Sequence, residues 1–219
     1  MKILIIPSWH NLDYSRKNVK FAHNFASILS ELTEHEYGII YGDFNFRDFR
    51  SEVIHKDDLP YNYIGEKSWS LPKYSFMWNN WLRKYFKLYE RYTDKYGKPD
   101  ILHAHSLVAL NAAHYISEKE EIPFIYTEHL GDLIRKNNHR RDLLNRSVEA
   151  AGKARICTTV SLEMKSGLSE QFQKEFRYIP NMIDDELFVP DDDYHSERPT
   201  FIAIGEPVHI KGLDILIES

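Results

Sequence analysis

Apolar residues follow two different spacings along this chain. Short apolar runs are typical of buried parallel strands, and longer segments with an apolar residue every three or four positions are typical of amphipathic helices. The first pattern predicts strands at residues 3–6, 37–41, 61–64, 101–102, 123–127, 156–160 and 178–179. The second predicts helices at residues 19–32, 78–92, 107–119, 131–151 and 161–173.

The alternation of these elements predicts an α/β fold. Strands that alternate with helices form right-handed βαβ units, which give a mostly parallel sheet with helices on both faces. Residues 43–60 are charged and show no period, so they are predicted to be irregular. The aromatic residues between 74 and 96 recur at helical spacing, which favours core packing over a ligand platform. Their density leaves room for an exposed apolar patch, which would suit a lipid-linked or membrane-proximal acceptor.

A second domain is predicted to begin near the end of the chain. Residues 190–198 are polar and acid-rich, which favours an interdomain linker over a surface loop within one domain. An apolar run at 201–204, Gly205, a short loop and a helix beginning at Leu213 follow. We therefore predict a first domain at 1–189, a linker at 190–198 and an incomplete second domain at 199–219, too short to bury a core.

Composition narrows the classes of function. The net charge of −5 argues against a non-specific nucleic-acid-binding protein, which normally carries a basic stripe. A single cysteine, Cys157, excludes an intramolecular disulfide and suits a reducing compartment; in its apolar strand it is predicted to be inert core. The opening apolar run is too short for a signal peptide or a membrane span, so we expect a cytoplasmic protein.

The carboxyl ends of the predicted strands carry the candidate chemistry, because ligands bind there in such sheets. A dinucleotide-binding fingerprint requires glycines directly after the first strand. Here Pro7-Ser8-Trp9-His10 follows that strand, and no glycine precedes Gly38. The sequence thus argues against a dehydrogenase. Trp9 suits either stacking on a sugar or base, or anchoring of the loop.

Histidines follow two neighbouring strands. His103 and His105 alternate on an extended segment and can point into one cleft, and Glu128 and His129 end the next strand. Such a group could bind hydroxyls, phosphate or a metal, although a lone histidine in a sheet is usually structural, which applies most to His103. Near the end of the chain, Lys211-Gly212 precedes a helix, an arrangement that favours phosphate.

Several short motifs, in order, resemble glycosyltransferase family 4, retaining enzymes of the GT-B fold. One looks like the family's D-(I/V)-(I/V)-H-x-H strand, and another like its P-x-x-x-T-x-H strand. The matching segments are Ile6-Pro-Ser-Trp9, Asp100-Ile-Leu-His-Ala-His105, Pro123-Phe-Ile-Tyr-Thr-Glu-His129, Thr159-Val-Ser161, Tyr178-Ile-Pro-Asn-Met-Ile-Asp184 and the tail from Gly205 through Lys211-Gly212 to Glu218. Together they extend over nearly the whole chain.

The resemblance implies two Rossmann-like domains that face each other across a cleft. The first would hold a glycan, lipid-linked or small-molecule acceptor, and the second a UDP- or GDP-linked sugar donor. His129 would lie beside the transferred sugar as the catalytic residue. The donor would contact Gly205, Lys211 and Gly212. The acceptor side would be formed by Ser8, Trp9, His10, Asn18, His105 and Glu128.

The resemblance also implies that no metal or other cofactor is needed, because basic side chains and helix N-termini neutralise the leaving diphosphate. Two departures alter the expected donor contacts. Lys17-Asn18-Val19 stands where the family has glycine, and Glu206 replaces a basic residue. The family's later acidic pair lies beyond residue 219, so we expect this chain alone to be inactive. A peripheral contact with the inner face of the membrane would fit a lipid-linked acceptor.

Two other functions remain open on the sequence. A metal-dependent hydrolase could use His103, His105 and His129 as ligands, although no acidic cluster completes such a site. The other alternative is a non-catalytic module that binds sugars or nucleotides and ends at Ser219.

Overall fold

A computed structural model describes residues 1–8, 21–45, 50–56, 58–70, 77–131, 141–183, 189, 202 and 212–218. The chain divides into two compact units, Met1–Met182 and Ile183–Ser219. In the second unit the described secondary structure is a single helix, α6, at Leu213–Glu218. The first unit contains every other described element.

The first unit is an α/β structure, and the described strands and helices follow the predicted order. Its strands are β1 (Lys2–Pro7), β2 (Glu36–Asn45), β3 (Glu52–Lys56), β4 (Asn62–Trp69), β5 (Ile101–His105), β6 (Phe124–Glu128), β7 (Cys157–Thr159) and β8 (Phe176–Tyr178). Its helices are α1 (Phe21–Leu32), α2 (Trp78–Tyr96), α3 (Leu107–Glu120), α4 (Arg141–Lys153) and α5 (Leu162–Phe172).

One sheet joins all the described strands of this unit, in the order β3-β4-β2-β1-β5-β6-β7-β8. Every neighbouring pair is parallel except β3 and β4. The chain leaves β1 towards β2 and β4 and then returns to place β5 on the other side of β1. The crevice beyond the carboxyl ends of β1 and β5 is therefore the topological switch point, where ligands bind in such folds.

Helices pack on both faces of the sheet, as the sequence predicts. Alternate residues of a strand point to opposite faces. On β1, Leu4 and Ile6 join the large core cluster that includes residues of α2 to α5. Ile5 points the other way and joins a smaller cluster with Ala22 and Ala26 of α1.

The aromatic stripe of α2 packs into the core, as predicted. Its buried residues are Trp81, Leu82, Tyr85, Leu88, Tyr89 and Tyr92. Gly38 of β2 allows this close approach. A Cβ atom at Gly38 would lie 2.0 Å from the Tyr92 hydroxyl oxygen. At Gly42 the backbone N–H donates to the Tyr85 hydroxyl over 3.3 Å.

Three lysines bind the carboxyl ends of helices. The Lys2 ammonium donates to the Tyr96 carbonyl at the end of α2 (2.8 Å), and Lys98 donates to Glu120 at the end of α3 (2.8 Å). Lys174 donates to the Gly152 carbonyl at the end of α4 (2.9 Å). Each places a cation at the negative end of a helix dipole and satisfies a carbonyl that has no partner within the helix.

The prediction that residues 43–60 are irregular is wrong in part. β2 continues to Asn45, and Glu52–Lys56 forms β3, an antiparallel edge strand. An edge strand faces solvent and carries charged residues, so it lacks the apolar alternation that reveals a buried strand. The helix predicted to begin at Leu213 is present as α6.

Some predicted features lie outside the described residues. These are residues 132–140 of the helix predicted at 131–151, the linker predicted at 190–198, and residues 201, 203 and 204 of the last predicted strand. The boundaries predicted at 189 and 199 stay predictions.

The contact between Gly38 and Tyr92 leads to a stability prediction. Gly38→Ala inserts a methyl group where a buried tyrosine already lies, so we expect the free energy of unfolding to fall by about 1–3 kcal/mol. Gly152→Ala in α4 is the matched control, because its added methyl group meets nothing within 4 Å. Alanine should stabilise that helix by roughly 0.5–1 kcal/mol. Urea denaturation measures both; equal stability of the two variants would contradict the packing argument.

Candidate functional site

The strands β1, β5 and β6 end at the same register position, at the switch point. Pro7 pairs with His105, and His105 pairs with Thr127. Ser8, directly after β1, donates its backbone N–H to the His105 carbonyl (3.0 Å). Its hydroxyl oxygen accepts from the Ala109 N–H (2.9 Å) in the first turn of α3. Ser8 therefore joins two strand ends to the start of a helix.

Three histidine rings stack at this edge on the α1 side of the sheet. The His103 and His105 ring centroids lie 4.0 Å apart. The His105 and His129 centroids lie 5.2 Å apart, with 25° between the ring planes. His105 Nδ1 and His129 Nε2 form a hydrogen bond of 2.9 Å. The structure thus brings together two residues that the sequence predicts for the site.

Two phenylalanines of α1 pack against the stack. Phe21 contacts the His129 ring at 4.4 Å and the His105 ring at 5.4 Å between centroids. Phe25 contacts the His105 ring at 5.1 Å. His105 is only 1% exposed as a result. No role in the site is predicted for these phenylalanines from the sequence; their spacing of four residues, which places both on one helix face, is the signal that could have shown it.

Burial keeps the imidazoles neutral. It lowers the pKa of His103 to about 3 and, despite a hydrogen bond to Asn181, the pKa of His129 to about 4. Burial, together with the neighbouring rings, holds the pKa of His105 well below its usual value. At neutral pH the stack therefore provides hydrogen-bonding groups and no positive charge.

His103 is held by a chain of hydroxyl groups. Its Nε2 lies 2.8 Å from Thr127 Oγ1, which lies 2.7 Å from Thr158 Oγ1. The Thr158 hydroxyl donates to the Tyr126 carbonyl (3.3 Å). These contacts extend across β5, β6 and β7 and favour the structural interpretation of this histidine.

Glu128 points into the opposite layer from the imidazoles, and its side chain is fully buried. Its Oε1 accepts from the Ser106 hydroxyl (2.7 Å), the His129 N–H (2.8 Å) and the Leu130 N–H (2.9 Å), while the Tyr126 hydroxyl donates to Oε2. Burial raises the pKa of Glu128, whereas these four donors lower it. The carboxyl group therefore fixes the backbone that carries His129.

Ser106 lies between β5 and α3 with a φ of 68°, which is unusual for a residue with a side chain. Its N–H donates to the Thr127 carbonyl (2.8 Å), and its carbonyl accepts from Leu110 (3.0 Å). With the bond to Glu128, these contacts offset the backbone strain, which is often found beside functional sites. No role is predicted for Ser106 from the sequence.

The remaining predicted site residues are in two groups. Gly212 is described and has a φ of 64°, directly before α6 in the second unit. Trp9, His10, Asn18, Gly205 and Lys211 lie outside the described residues. Cys157 is buried in β7, and its thiol donates to the Ala151 carbonyl (3.6 Å), in agreement with a core role.

The described residues give no support to the metal-dependent hydrolase. Among them, no group of three or more histidine, cysteine, aspartate or glutamate residues is placed to hold a metal ion. His105 bonds to His129, and His103 bonds to Thr127. None of the described helices combines the length and the apolar character that crossing a bilayer requires.

Comparison with known families decides the identity of the chain. The sequence model described as Glycosyltransferase Family 4 matches residues 19–187, well over half of the chain. The chain belongs to glycosyltransferase family 4. The resemblance seen in the motifs is thereby confirmed. No match was found among curated protein sequences.

Solved structures share the fold of this family member. Sucrose-phosphate synthase from Thermosynechococcus elongatus aligns with a TM-score of 0.64 at 13% identity, covering 88% of this chain and 51% of that one. The lipopolysaccharide outer core galactosyltransferase WaaB gives 0.53 at 15%, covering 89% and 50%. Anabaena Alr3699/HepE in complex with UDP and glucose gives 0.52 at 17%, covering 88% and 47%. The chain thus spans about half the length of these GT-B proteins, and the predicted fold class is confirmed.

The buried carboxyl group of Glu128 allows a matched test. Glu128→Ala removes the acceptor of four donors, so we expect the free energy of unfolding to fall by about 3–5 kcal/mol. Glu128→Gln keeps the volume and one carbonyl oxygen, so its loss should be clearly smaller. Glu118→Ala, at a side chain that is 62% exposed, is the control and should change the value by less than about 0.5 kcal/mol. The account is wrong if chemical denaturation finds Glu128→Ala and Glu118→Ala equally stable.

The depressed histidine pKa values predict a loss of stability in acid. The folded-state pKa of His129, about 4, lies below the unfolded value near 6.5, so the unfolded chain takes up the proton first as pH falls. The stability advantage of wild type over His129→Gln should therefore shrink between pH 6.5 and 4 by up to about 1.4 kcal/mol per pH unit. His55→Gln, at an exposed position of β3, is the control for a histidine-to-glutamine substitution outside the stack. A constant difference between wild type and His129→Gln would contradict the neutral stack.

Proposed function

We propose that this protein transfers a sugar from a nucleotide-sugar donor to an acceptor hydroxyl with retention of configuration. Membership of glycosyltransferase family 4 supports transfer of a sugar. The observation that carries the proposal for this chain is the hydrogen bond between His105 and His129 at the switch point. It places an ordered imidazole at the sheet edge where ligands bind in this fold.

His129 would lie beside the transferred sugar, as the family motif implies. Its ring is held between His105 and Phe21, so little reorganisation would be needed when a substrate arrives. Because burial keeps this imidazole neutral, it would supply hydrogen bonding and not charge. Basic side chains and helix N-termini would then stabilise the charge that develops on the leaving diphosphate, without a metal ion.

The donor would be a UDP- or GDP-linked sugar bound by the second unit. Lys211 would contact the diphosphate, with Gly205 and Gly212 allowing close approach of the backbone. The positive φ of Gly212 permits the turn into α6, a conformation that a residue with a side chain rarely adopts. Among the similar structures, HepE has been solved with UDP and glucose, which supports this donor class.

The acceptor would bind beside the first unit. Ser8, Trp9, His10, Asn18 and His105 would line its site, and Glu128 would act through the backbone that it fixes. We propose a glycan, a lipid-linked sugar or a small molecule as acceptor, with peripheral contact at the inner face of the membrane in the lipid-linked case.

The 219-residue chain alone should bind donors weakly. It spans about half the length of the similar structures, so most donor contacts would require further residues. Isothermal titration of the chain with UDP- and GDP-sugars should show no tight binding. Sub-micromolar affinity would contradict this proposal.

The function itself is tested by transfer assays on the full-length product of the gene. A panel of nucleotide sugars should yield transfer or hydrolysis for one donor, and the product should keep the anomeric configuration of that donor. His129→Ala should reduce kcat by about 100-fold, the scale seen when one stabilising hydrogen-bond donor is lost. His55→Ala, on the exposed edge strand, should leave the rate unchanged. Absence of transfer with every donor would refute the function.

A further inference from the structure

The hydrogen bonds of the histidine stack determine where its protons lie. A neutral imidazole carries one N–H and one lone pair, and the partner of one nitrogen fixes the role of the other. His103 shows this first. The Tyr126 carbonyl can only accept, so Thr158 donates to it, Thr127 donates to Thr158, and His103 donates from Nε2 to Thr127. This is the one assignment that satisfies all three contacts.

The buried Nε2 atom of His105 determines which nitrogen of that ring carries the proton. It has no hydrogen-bond partner in the described part of the chain, although His105 is only 1% exposed. Among buried backbone groups, an N–H without a partner is rarer than an under-satisfied acceptor, and we apply the same preference to this imidazole. The Nε2 atom of His105 therefore carries the lone pair, and its Nδ1–H donates to His129 Nε2 over 2.9 Å.

The proton of His129 follows from this donation. Because Nε2 accepts from His105, the neutral ring carries its N–H on Nδ1. A side-chain hydrogen bond with Asn181 raises the pKa of His129, and an N–H on Nδ1 would be matched by the amide oxygen of Asn181 as its acceptor. The segment before Asn181 is attached to β7 through the Ile179 N–H, which donates to the Thr159 carbonyl (2.9 Å). Asn181 itself is exposed, so an incoming oxygen atom can replace it.

We propose that His105 is a positioning residue that holds His129 as the neutral tautomer with its proton on Nδ1, so that His129 meets the substrate as a hydrogen-bond donor. This deepens the proposed function and rests on it for the role of His129. The substrate group at this point is an oxygen acceptor, such as a sugar hydroxyl or an oxygen of the leaving group. His129 is not a general base, because its lone pair already accepts from His105.

The tautomer can be measured on the chain without any substrate. Protein labelled with ¹⁵N in its imidazoles is studied by two-bond ¹H–¹⁵N correlation at pH 7.5, and His129 is assigned with the His129→Gln variant. We expect His129 to show a protonated Nδ1 and an unprotonated Nε2, and His103 to show a protonated Nε2. A protonated Nε2 on His129 in the wild-type chain overturns the proposal.

Variants at position 105 test the cause. His105→Asn keeps an N–H donor near the position of Nδ1 and should preserve the Nδ1–H form of His129. His105→Leu removes the donor and should replace the single tautomer by a mixture. An unchanged tautomer in folded His105→Leu overturns the proposal. If His105→Leu does not fold, the wild-type spectrum still decides.

Kinetics of the full-length enzyme separate this inference from the proposed function. Loss of the tautomer should lower kcat of His105→Leu by at least tenfold with little change in KM, and His105→Asn should recover most of that loss. Equal losses in both variants overturn the positioning role. If no donor sugar is transferred while the tautomers are as expected, the proposed function fails and the tautomer assignment stands.

Discussion

The hydrogen bond between His105 and His129 is the interaction on which the candidate site depends. It joins the ends of two neighbouring strands on the side of the sheet that α1 covers. Such a bond requires at least one neutral ring, because two imidazolium groups at this distance would repel and neither could accept. Burial by Phe21 and Phe25 meets this condition by making protonation costly. Neutrality and position of the rings thus have one physical cause.

The opposite layer of the sheet fixes the backbone on which this bond depends. Glu128 binds the N–H groups of His129 and Leu130 and reaches the hydroxyl of Ser106, which follows His105 directly. One buried carboxyl group on the opposite face of the sheet therefore holds the backbone at both His105 and His129. The unusual φ of Ser106 is tolerated because these bonds outweigh its strain. The side chain of Glu128 on one face of the sheet orients the backbone, and the imidazoles lie on the other face.

Much of this arrangement could be predicted from the sequence, and the misses have clear reasons. Parallel strands end at one edge, so the motifs around His105 and His129 were bound to meet once the alternation of strands and helices was recognised. The sequence also allows the prediction that Glu128 lies on the opposite face of the sheet from His129, because adjacent strand residues point to opposite faces. The spacing of Phe21 and Phe25 places both on one face of α1, but which part of the sheet that face covers depends on how α1 packs. The edge strand β3 lacks the apolar pattern that periodicity detects.

The most direct test is a proton NMR titration of the His129 imidazole. The chemical shift of its Cε1 proton, assigned with the His129→Gln variant, reports the protonation of this ring alone. The account predicts that the resonance stays in its neutral position down to about pH 5 and moves with a midpoint near 4. A midpoint at or above about 6.5, the value of a solvated histidine, would show that the ring is not held in a neutral stack.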